Sequence, residues 1–245
     1  MTQKRARAQA QVVPKDDPRL YVEDIKYPGE TGEVLAHFAR PKGDLKLPGV
    51  IVIHENRGLN PHTKEVARRV ALEGFLAIAP NALSPLGGTP EDVDEARSLM
   101  QKLDSQSTIQ NFVAAVKYLK THPKSTGKVG VTGFCWGGGV SNQIAVNSPD
   151  LKAAAPFYGR QPAPEDVPKI KASLLLHYAG HDERINEGIT AYETALKESN
   201  VDYEIHMYED AQHGFFNDTT PRYHEGSAKL AWKRTITFLK QKLKT

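Results

Sequence analysis

The sequence is poor in cysteine, with Cys135 as the only one among 245 residues. A single thiol excludes an intramolecular disulfide, which suits a reducing compartment and also occurs in exported proteins. Apolar runs are short as well, and none approaches the roughly 18 residues that a membrane-spanning helix requires. We therefore expect a cytoplasmic or periplasmic protein without a membrane span.

Residues 1–13 lack the apolar stretch of a signal peptide, although they contain basic side chains and small residues at Ala6, Ala8 and Ala10. Two interpretations remain open, the remnant of an export leader and a disordered polar tail. We assign residues 1–20 to this tail. Residues 21–245 are predicted to form a single domain, because no repeat, linker or change of composition divides them.

The chain has no large excess of either charge, since 32 basic and 29 acidic residues give a net charge of +3. Basic clusters occur only at residues 4–7 and 240–244, whereas nucleic-acid-binding proteins concentrate positive charge on one patch. The sequence also lacks a P-loop, a dinucleotide-binding glycine pattern, a His-Glu-x-x-His motif and a Cys/His cluster. We therefore expect no nucleic-acid partner, no metal and no cofactor.

Apolar runs rich in β-branched residues alternate with segments of helical period, which is typical of a mostly parallel sheet with helices on both faces. The sequence thus predicts an α/β fold. Residues 21–27 and 34–40 are predicted to form an antiparallel hairpin at one edge. Further strands are predicted at residues 49–54, 75–79, 129–133, 153–158, 174–178 and 203–208, and helices at 63–73, 92–103, 109–121, 138–147, 187–199 and 227–243.

The most informative segment is Val-Gly-Val-Thr-Gly-Phe-Cys-Trp-Gly-Gly-Gly at residues 129–139. Gly133, Cys135 and Gly137 have the spacing of a nucleophile elbow, in which a strained turn between a strand and a helix exposes the central side chain. Side chains at the flanking glycines would collide with neighbouring backbone. The following helix N-terminus would favour the reactive thiolate. We predict that Cys135 is a nucleophile; the alternatives are a phosphate-binding turn and an inert buried cysteine.

A nucleophile elbow requires an acid and then a histidine later in the chain. Asp182 follows the predicted strand at 174–178, and His213 lies in the loop before the last helix. We predict that these two residues complete a catalytic triad. His181 is the rival histidine, although it precedes the acid. The nearest substitutes for the acid are Glu183, Asp210 and Asp218.

Acyl transfer also requires hydrogen-bond donors for the oxyanion that forms on the attacked carbonyl. In this arrangement one donor is the backbone N–H of the residue after the nucleophile, here Trp136. The second comes from the loop after the first long buried strand, which makes the backbone N–H of Asn56 the candidate.

Five motifs extend over nearly the whole chain from about residue 22. They are His-Glu-Asn-Arg-Gly-Leu-Asn at 54–60, Ala-Pro at 79–80, Gly-Phe-Cys-Trp-Gly-Gly-Gly at 133–139, Phe-Tyr-Gly at 157–159 and His-Gly-Phe at 213–215. With these motifs the chain resembles the dienelactone hydrolase family. The resemblance implies an α/β-hydrolase fold of about eight strands, the triad Cys135, Asp182 and His213, and a small ester or lactone as substrate. The sequence leaves open whether the protein is a monomer or a homodimer.

The resemblance also implies a role for Glu55. In similar enzymes the matching glutamate pairs with the resting cysteine and helps to generate the thiolate when substrate arrives. The alternative is a loop residue that forms a salt bridge with Arg57. Both interpretations stay open from the sequence.

The chain departs from the family in its basic residues. Members that act on dienelactone hold the substrate carboxylate with arginines after the Ala-Pro motif and after the catalytic histidine. Neither residues 81–88 nor residues 214–218 contain a basic side chain, which weakens the case for dienelactone itself as substrate. The residues that could supply a charge from elsewhere are Arg57, Arg160, Arg184 and Arg222.

Aromatic residues near the predicted strand ends indicate an apolar pocket for the acyl or alcohol part of the substrate, although such residues are as often part of the core. We predict a substrate pocket formed by Arg57, Phe134, Trp136, Tyr158, Arg160, Phe215 and Phe216.

Two functions other than hydrolysis remain open. A thiol redox protein would use Cys135 for peroxide chemistry, but it would need an external thiol because the chain has no second cysteine. A noncatalytic binding scaffold would keep the fold without turnover.

Overall fold

A computed structural model describes residues 12–244 and contains one eight-stranded sheet. The strands are β1 (Leu20–Gly29), β2 (Gly32–Pro41), β3 (Leu47–Ile53), β4 (Leu76–Pro80), β5 (Ser125–Phe134), β6 (Leu151–Phe157), β7 (Ser173–His181) and β8 (Tyr203–Gln212). Their order in the sheet is β1-β2-β4-β3-β5-β6-β7-β8.

The sheet is antiparallel at one edge and parallel elsewhere. β1 and β2 form the predicted hairpin, in which Gly29 pairs with Gly32, and β2 pairs antiparallel with β4. The remaining neighbours are all parallel. Parallel strands are covered on both faces, which explains why all five residues of β4 are buried and apolar. The predicted α/β fold and the predicted strands are confirmed.

Seven α-helices connect or follow the strands within residues 12–244, and none of them is long and apolar enough to cross a bilayer. They are α1 (Pro61–Leu72), α2 (Val93–Met100), α3 (Ser105–Thr121), α4 (Trp136–Asn147), α5 (Glu183–Asn186), α6 (Ile189–Glu198) and α7 (Glu225–Leu243).

The predicted helices are present, with some different boundaries. α3 begins at Ser105 and not at residue 109, because the Asp104 carboxylate accepts a hydrogen bond from the Ser107 N–H and caps the first turn. The segment predicted as one helix at 187–199 forms α6 alone, and the separate short helix α5 precedes it.

The two faces of the sheet have separate cores. Side chains alternate along a strand, so in β3 Ile51 and Ile53 pack on one face, and Val50 and Val52 on the other. The first face is covered by α2, α3, α4 and α6. The second face is covered by α1 and α7.

The packed part of the chain begins before residue 21. Val13 is buried on the face of α1 and α7. Its N–H donates to the Glu65 carboxylate at 2.9 Å, and its carbonyl accepts from the Arg68 guanidinium at 2.8 Å. The predicted tail thus includes a side chain that packs on the sheet. The predicted leader remnant falls on residues 1–11, which lie outside the described residues.

Candidate active site

Three parallel strands end directly before the three predicted triad residues. Cys135 follows β5, Asp182 follows β7 and His213 follows β8. The carboxyl ends of parallel strands lie at the same edge of a sheet, where open α/β folds bind their ligands. The fold therefore brings residues that are far apart in the sequence to one edge.

The turn at Cys135 has the geometry of a nucleophile elbow. Cys135 has a φ of +56°, in the left-handed region that residues with a side chain rarely adopt. A Cβ on Gly133 would lie 2.2 Å from the Gly137 carbonyl oxygen, and a Cβ on Gly137 would lie 2.4 Å from the His54 carbonyl oxygen. Both glycines are therefore required for this close packing, as the sequence predicted.

The Cys135 side chain is accessible and lies at a helix terminus. Cys135 is the N-cap residue of α4, and its side chain is only partly buried. It lines a cavity of about 930 Å³. Backbone N–H groups at the first turn of α4 have no partners within the helix, and they stabilise negative charge placed near them. The sulfur is thus open to a substrate and lies at the N-terminus of a helix.

Asp182 and His213 form a direct hydrogen bond. The Nδ1 of His213 donates to the Oδ2 of Asp182 at 2.5 Å. Asp182 is 8% exposed, so water competes little for its carboxylate. This bond fixes the ring orientation and leaves Nε2 as the nitrogen available for chemistry.

The environment of His213 favours the imidazolium form. Burial lowers the pKa of His213, but the hydrogen bond to Asp182 and the nearby Cys135 sulfur raise it more, to about 9. The Nε2 atom is buried and has no hydrogen-bond partner among the described residues. The Cys135 sulfur thus lies near enough to the His213 ring to raise its pKa.

Asp218 is the predicted substitute that lies farthest from Asp182 in the sequence. It belongs to a different group of charges. Its carboxylate pairs with Arg69 at 2.6 Å and with His62 at 3.3 Å. Burial raises the pKa of Asp218, but the bonds to His62 and Arg69 outweigh it and lower the value to about 2. Arg69 also pairs with Glu65, so the segment after His213 is held against α1.

Glu55 is buried, and Asn217 binds it. The Asn217 side-chain amide donates to Glu55 Oε2 at 2.8 Å, across 162 residues of sequence. Arg57 forms no salt bridge with Glu55 in the part of the chain that the structure describes, so the salt-bridge interpretation is wrong. Nothing in the sequence indicated Asn217, because a lone asparagine in a loop carries no motif.

Tyr158 lies in strained backbone beside the triad. Its φ is +38°, and its N–H donates to the His177 carbonyl at 2.7 Å. The Tyr158 and His213 rings are 4.9 Å apart between centroids. Burial raises the pKa of Tyr158 well above its ordinary value, and the charges of Glu55 and Cys135 raise it further. The Tyr158 hydroxyl has no hydrogen-bond partner among residues 12–244, and Tyr158 is one of the residues that line the cavity.

Both residues predicted to supply the oxyanion donors also line the cavity, Asn56 and Trp136. His54 holds the loop that contains Asn56, because its Nδ1 bonds to the Glu55 carbonyl and its Nε2 accepts from the Ala82 N–H. Burial lowers the pKa of His54 to about 4, so this ring is neutral and fits these two roles. The Trp136 ring stacks on it at 5.3 Å.

Several predicted pocket residues lie elsewhere. Phe134, Phe215 and Phe216 do not line the cavity; they are at most 3% exposed and form part of the core on the face of α1 and α7. The Phe134 and Phe216 rings stack at 4.8 Å. Their predicted pocket role is wrong because periodicity cannot tell which side of a strand end faces the ligand. Arg57 does not line the cavity either.

Arg160 does line the cavity, together with Arg184. Among residues 12–244 no acidic residue belongs to the cavity wall, so these two arginines give it positive charge. Within the described residues, no three His, Cys, Asp or Glu side chains converge in the way that metal ligands do.

Comparisons with known proteins agree with this architecture. The model of the dienelactone hydrolase family matches residues 34–243. A carboxymethylenebutenolidase-like protein of Salmonella typhi is 34% identical over 230 residues, which cover 87% of this chain and 85% of the relative. A similar protein of Escherichia coli K12 is 32% identical over 246 residues, which cover 94% of this chain and 90% of the relative.

A solved dienelactone hydrolase-like structure from Klebsiella pneumoniae has a TM-score of 0.81 and 28% identity to this chain. The match covers 91% of this chain and 99% of that structure. The family predicted from the motifs and the hydrolase class that it implies are confirmed. The chain therefore belongs to the dienelactone hydrolase family.

Proposed function

We propose that the protein hydrolyses small carboxylic esters or lactones through a Cys135, His213 and Asp182 triad and an acyl-enzyme intermediate. The observation that carries the proposal is the combination of an accessible cysteine in a strained elbow and a histidine whose Nδ1 is bound to Asp182. The buried Nε2 of His213 has no hydrogen-bond partner among the described residues. This supports the proposal, because the atom can exchange a proton with the reacting groups.

In the first half of the reaction the Cys135 thiolate attacks the carbonyl carbon. A C–S bond forms, and the carbonyl electron pair moves onto oxygen. The backbone N–H groups of Asn56 and Trp136 donate to this oxyanion. When the intermediate collapses, the bond to the alkoxy oxygen breaks, and that oxygen takes the proton from His213 Nε2. A His213 pKa of about 9 suits this step, since the imidazolium is present at neutral pH.

In the second half water attacks the thioester. The now neutral His213 takes a proton from the water, and the C–S bond breaks to release the acid. The thiolate and imidazolium are restored together. Asp182 keeps the ring oriented throughout and stabilises its charged form.

The polar groups in the cavity fit an ester or lactone. The Tyr158 hydroxyl has no hydrogen-bond partner among residues 12–244 and is proposed to donate to an oxygen of the bound substrate. Arg160 is proposed to face the polar part of the substrate from the cavity wall. Glu55 is proposed to act on the resting cysteine, with Asn217 holding its carboxylate in place.

Hydrolysis of p-nitrophenyl acetate and butyrate tests the proposal. We expect turnover by the wild type and a loss of at least about 10³-fold in Cys135→Ala, because the nucleophile is absent. Asp182→Asn serves as a matched second variant, which retains the sulfur and loses the charge that orients His213. Equal activity of Cys135→Ala and wild type would end the nucleophile assignment. No turnover by a folded wild type would favour a redox or binding function.

A further inference from the structure

The cavity is larger than the predicted small substrates need. Its volume of about 930 Å³ lies near the upper end of the roughly 300–1,000 Å³ found for pockets that enclose drug-sized ligands. Cys135 and His213 belong to its wall, and so do residues of α2, α3 and α6, which are distant from them in the sequence, and residues along α4. Much of the cavity therefore extends away from the reacting atoms.

One part of the cavity wall is apolar. Met100 at the end of α2 and Val140 on α4 are 8% and 6% exposed, and Leu103 and Ile109 are half-buried. All four line the cavity. We call this set the acyl wall, and its members are Met100, Leu103, Ile109 and Val140.

The cavity-lining residues of α4 show in which direction the acyl wall extends. Trp136, Val140 and Gln143 all line the cavity and recur at intervals of four and three residues, so they lie on one face of α4. A rise of about 1.5 Å per residue places Trp136 and Gln143 about 10 Å apart along the axis. Gln143 and Ile109 also line a second cavity of about 280 Å³ together with the exposed residues Gln106 and Asn147, so they lie towards the protein surface. The acyl wall thus runs outward from the nucleophile.

The topology separates the acyl wall from His213. The helix α3 packs against β3 and β5, whereas His213 follows β8 at the far edge of the sheet. The leaving oxygen must be close to His213 Nε2 because it takes a proton from that atom. The acyl part of the substrate then extends to the other side of Cys135, towards α3.

We propose that the acyl wall binds an extended aliphatic acyl chain, so that esters of medium-chain acids are better substrates than acetate. This inference rests on the proposed function and adds the substrate class. Burial of a methylene group contributes enough free energy to raise kcat/KM by up to about fourfold. The polar outer end at Gln143 limits the length of chain that gains from this burial.

A chain-length series provides the test. The kcat/KM values of p-nitrophenyl acetate, butyrate, hexanoate and octanoate are measured below their aggregation limits. For the wild type we expect a rise of about two- to fourfold per methylene from acetate to hexanoate. Ile109→Trp fills the outer end of the acyl wall. It should lower the octanoate-to-acetate ratio of kcat/KM by at least about tenfold.

Lys117→Trp is the matched control, since it places the same side chain on an exposed position of α3 outside the cavity. Its octanoate-to-acetate ratio should equal that of the wild type. If thermal unfolding shows that Ile109→Trp does not fold, Leu103→Trp in the preceding turn makes the same test.

A wild type without preference for longer chains would overturn the inference, and so would an unchanged ratio in a folded Ile109→Trp or Leu103→Trp. In either case, Cys135-dependent hydrolysis of acetate would leave the proposed function intact. Failure of the proposed function has a different signature, namely acetate hydrolysis that is absent or survives in Cys135→Ala.

Discussion

His213 and Asp182 lie at the ends of neighbouring parallel strands and share a hydrogen bond of 2.5 Å between Nδ1 and Oδ2. The bond orients the ring and stabilises its charged form. Because the pKa of His213 is about 9, the imidazolium can act as the acid that protonates the leaving group. The pH dependence that we predict for activity and for the free energy of unfolding follows from this pair and the nearby sulfur.

The pKa of His213 is predicted to depend on the Cys135 sulfur. Cys135→Ala removes one of the influences that raise it, so the value should fall from about 9 towards the ordinary 6.5. Asp182→Asn should lower it as well. NMR titration of the imidazole resonances measures both changes. An unchanged His213 titration in Cys135→Ala would show that the sulfur and the ring do not interact.

The activity of the wild type is predicted to fall as the pH rises through about 9, because a neutral His213 cannot protonate the leaving oxygen. The pKa of His213 is higher in the folded than in the unfolded chain. Its contribution to the free energy of unfolding is therefore fully present below pH 6.5 and is lost as the pH rises through 9. A pH profile of kcat/KM tests the predicted loss of activity. Activity that keeps rising above pH 9 would contradict it.

Glu55→Gln is predicted to lower kcat/KM by about 10- to 100-fold with little change in thermal stability. The substitution keeps the acceptor for Asn217 and removes the negative charge that acts on Tyr158. Arg57→Gln is the matched control, because Arg57 neither pairs with Glu55 nor lines the cavity. Ester hydrolysis and thermal unfolding are measured for both. Equal activity of both variants would make Glu55 a structural loop residue.

Phe134→Leu is predicted to lower the free energy of unfolding by about 1–3 kcal/mol, since Phe134 stacks on Phe216 in the core. The butyrate-to-acetate ratio of kcat/KM should stay unchanged because the side chain does not line the cavity. Urea unfolding and ester kinetics measure the two effects. A changed butyrate-to-acetate ratio without a loss of stability would show that Phe134 contacts the substrate.

The sequence predicted the parts of the site that depend on local geometry or chain order. Gly133 and Gly137 were identifiable because crowding in the elbow permits only glycine there. Asp182 and His213 were identifiable because parallel strands bring their carboxyl ends together in a fixed order. The strands themselves were evident because the buried parallel strands form continuous apolar runs.

Other contacts could not be predicted from one sequence. The bond between Asn217 and Glu55 joins two loops through tertiary packing, and neither residue belongs to a local pattern that specifies the other. Phe215 and Phe216 follow His213 after a single glycine, but the turn directs both side chains into the core and not into the cavity. The acyl wall combines residues of three helices and of the loop between α2 and α3, and their separation depends on the complete fold.

The central claim is that Cys135 carries the acyl group during turnover. Rapid acid quenching of the wild type with p-nitrophenyl acetate, followed by peptide mass spectrometry, tests this claim most directly. We predict one acetyl group on the peptide that contains Cys135 and none in Cys135→Ala. Steady hydrolysis without an acetylated Cys135, or an acetyl group on another residue that depends on turnover, would contradict it.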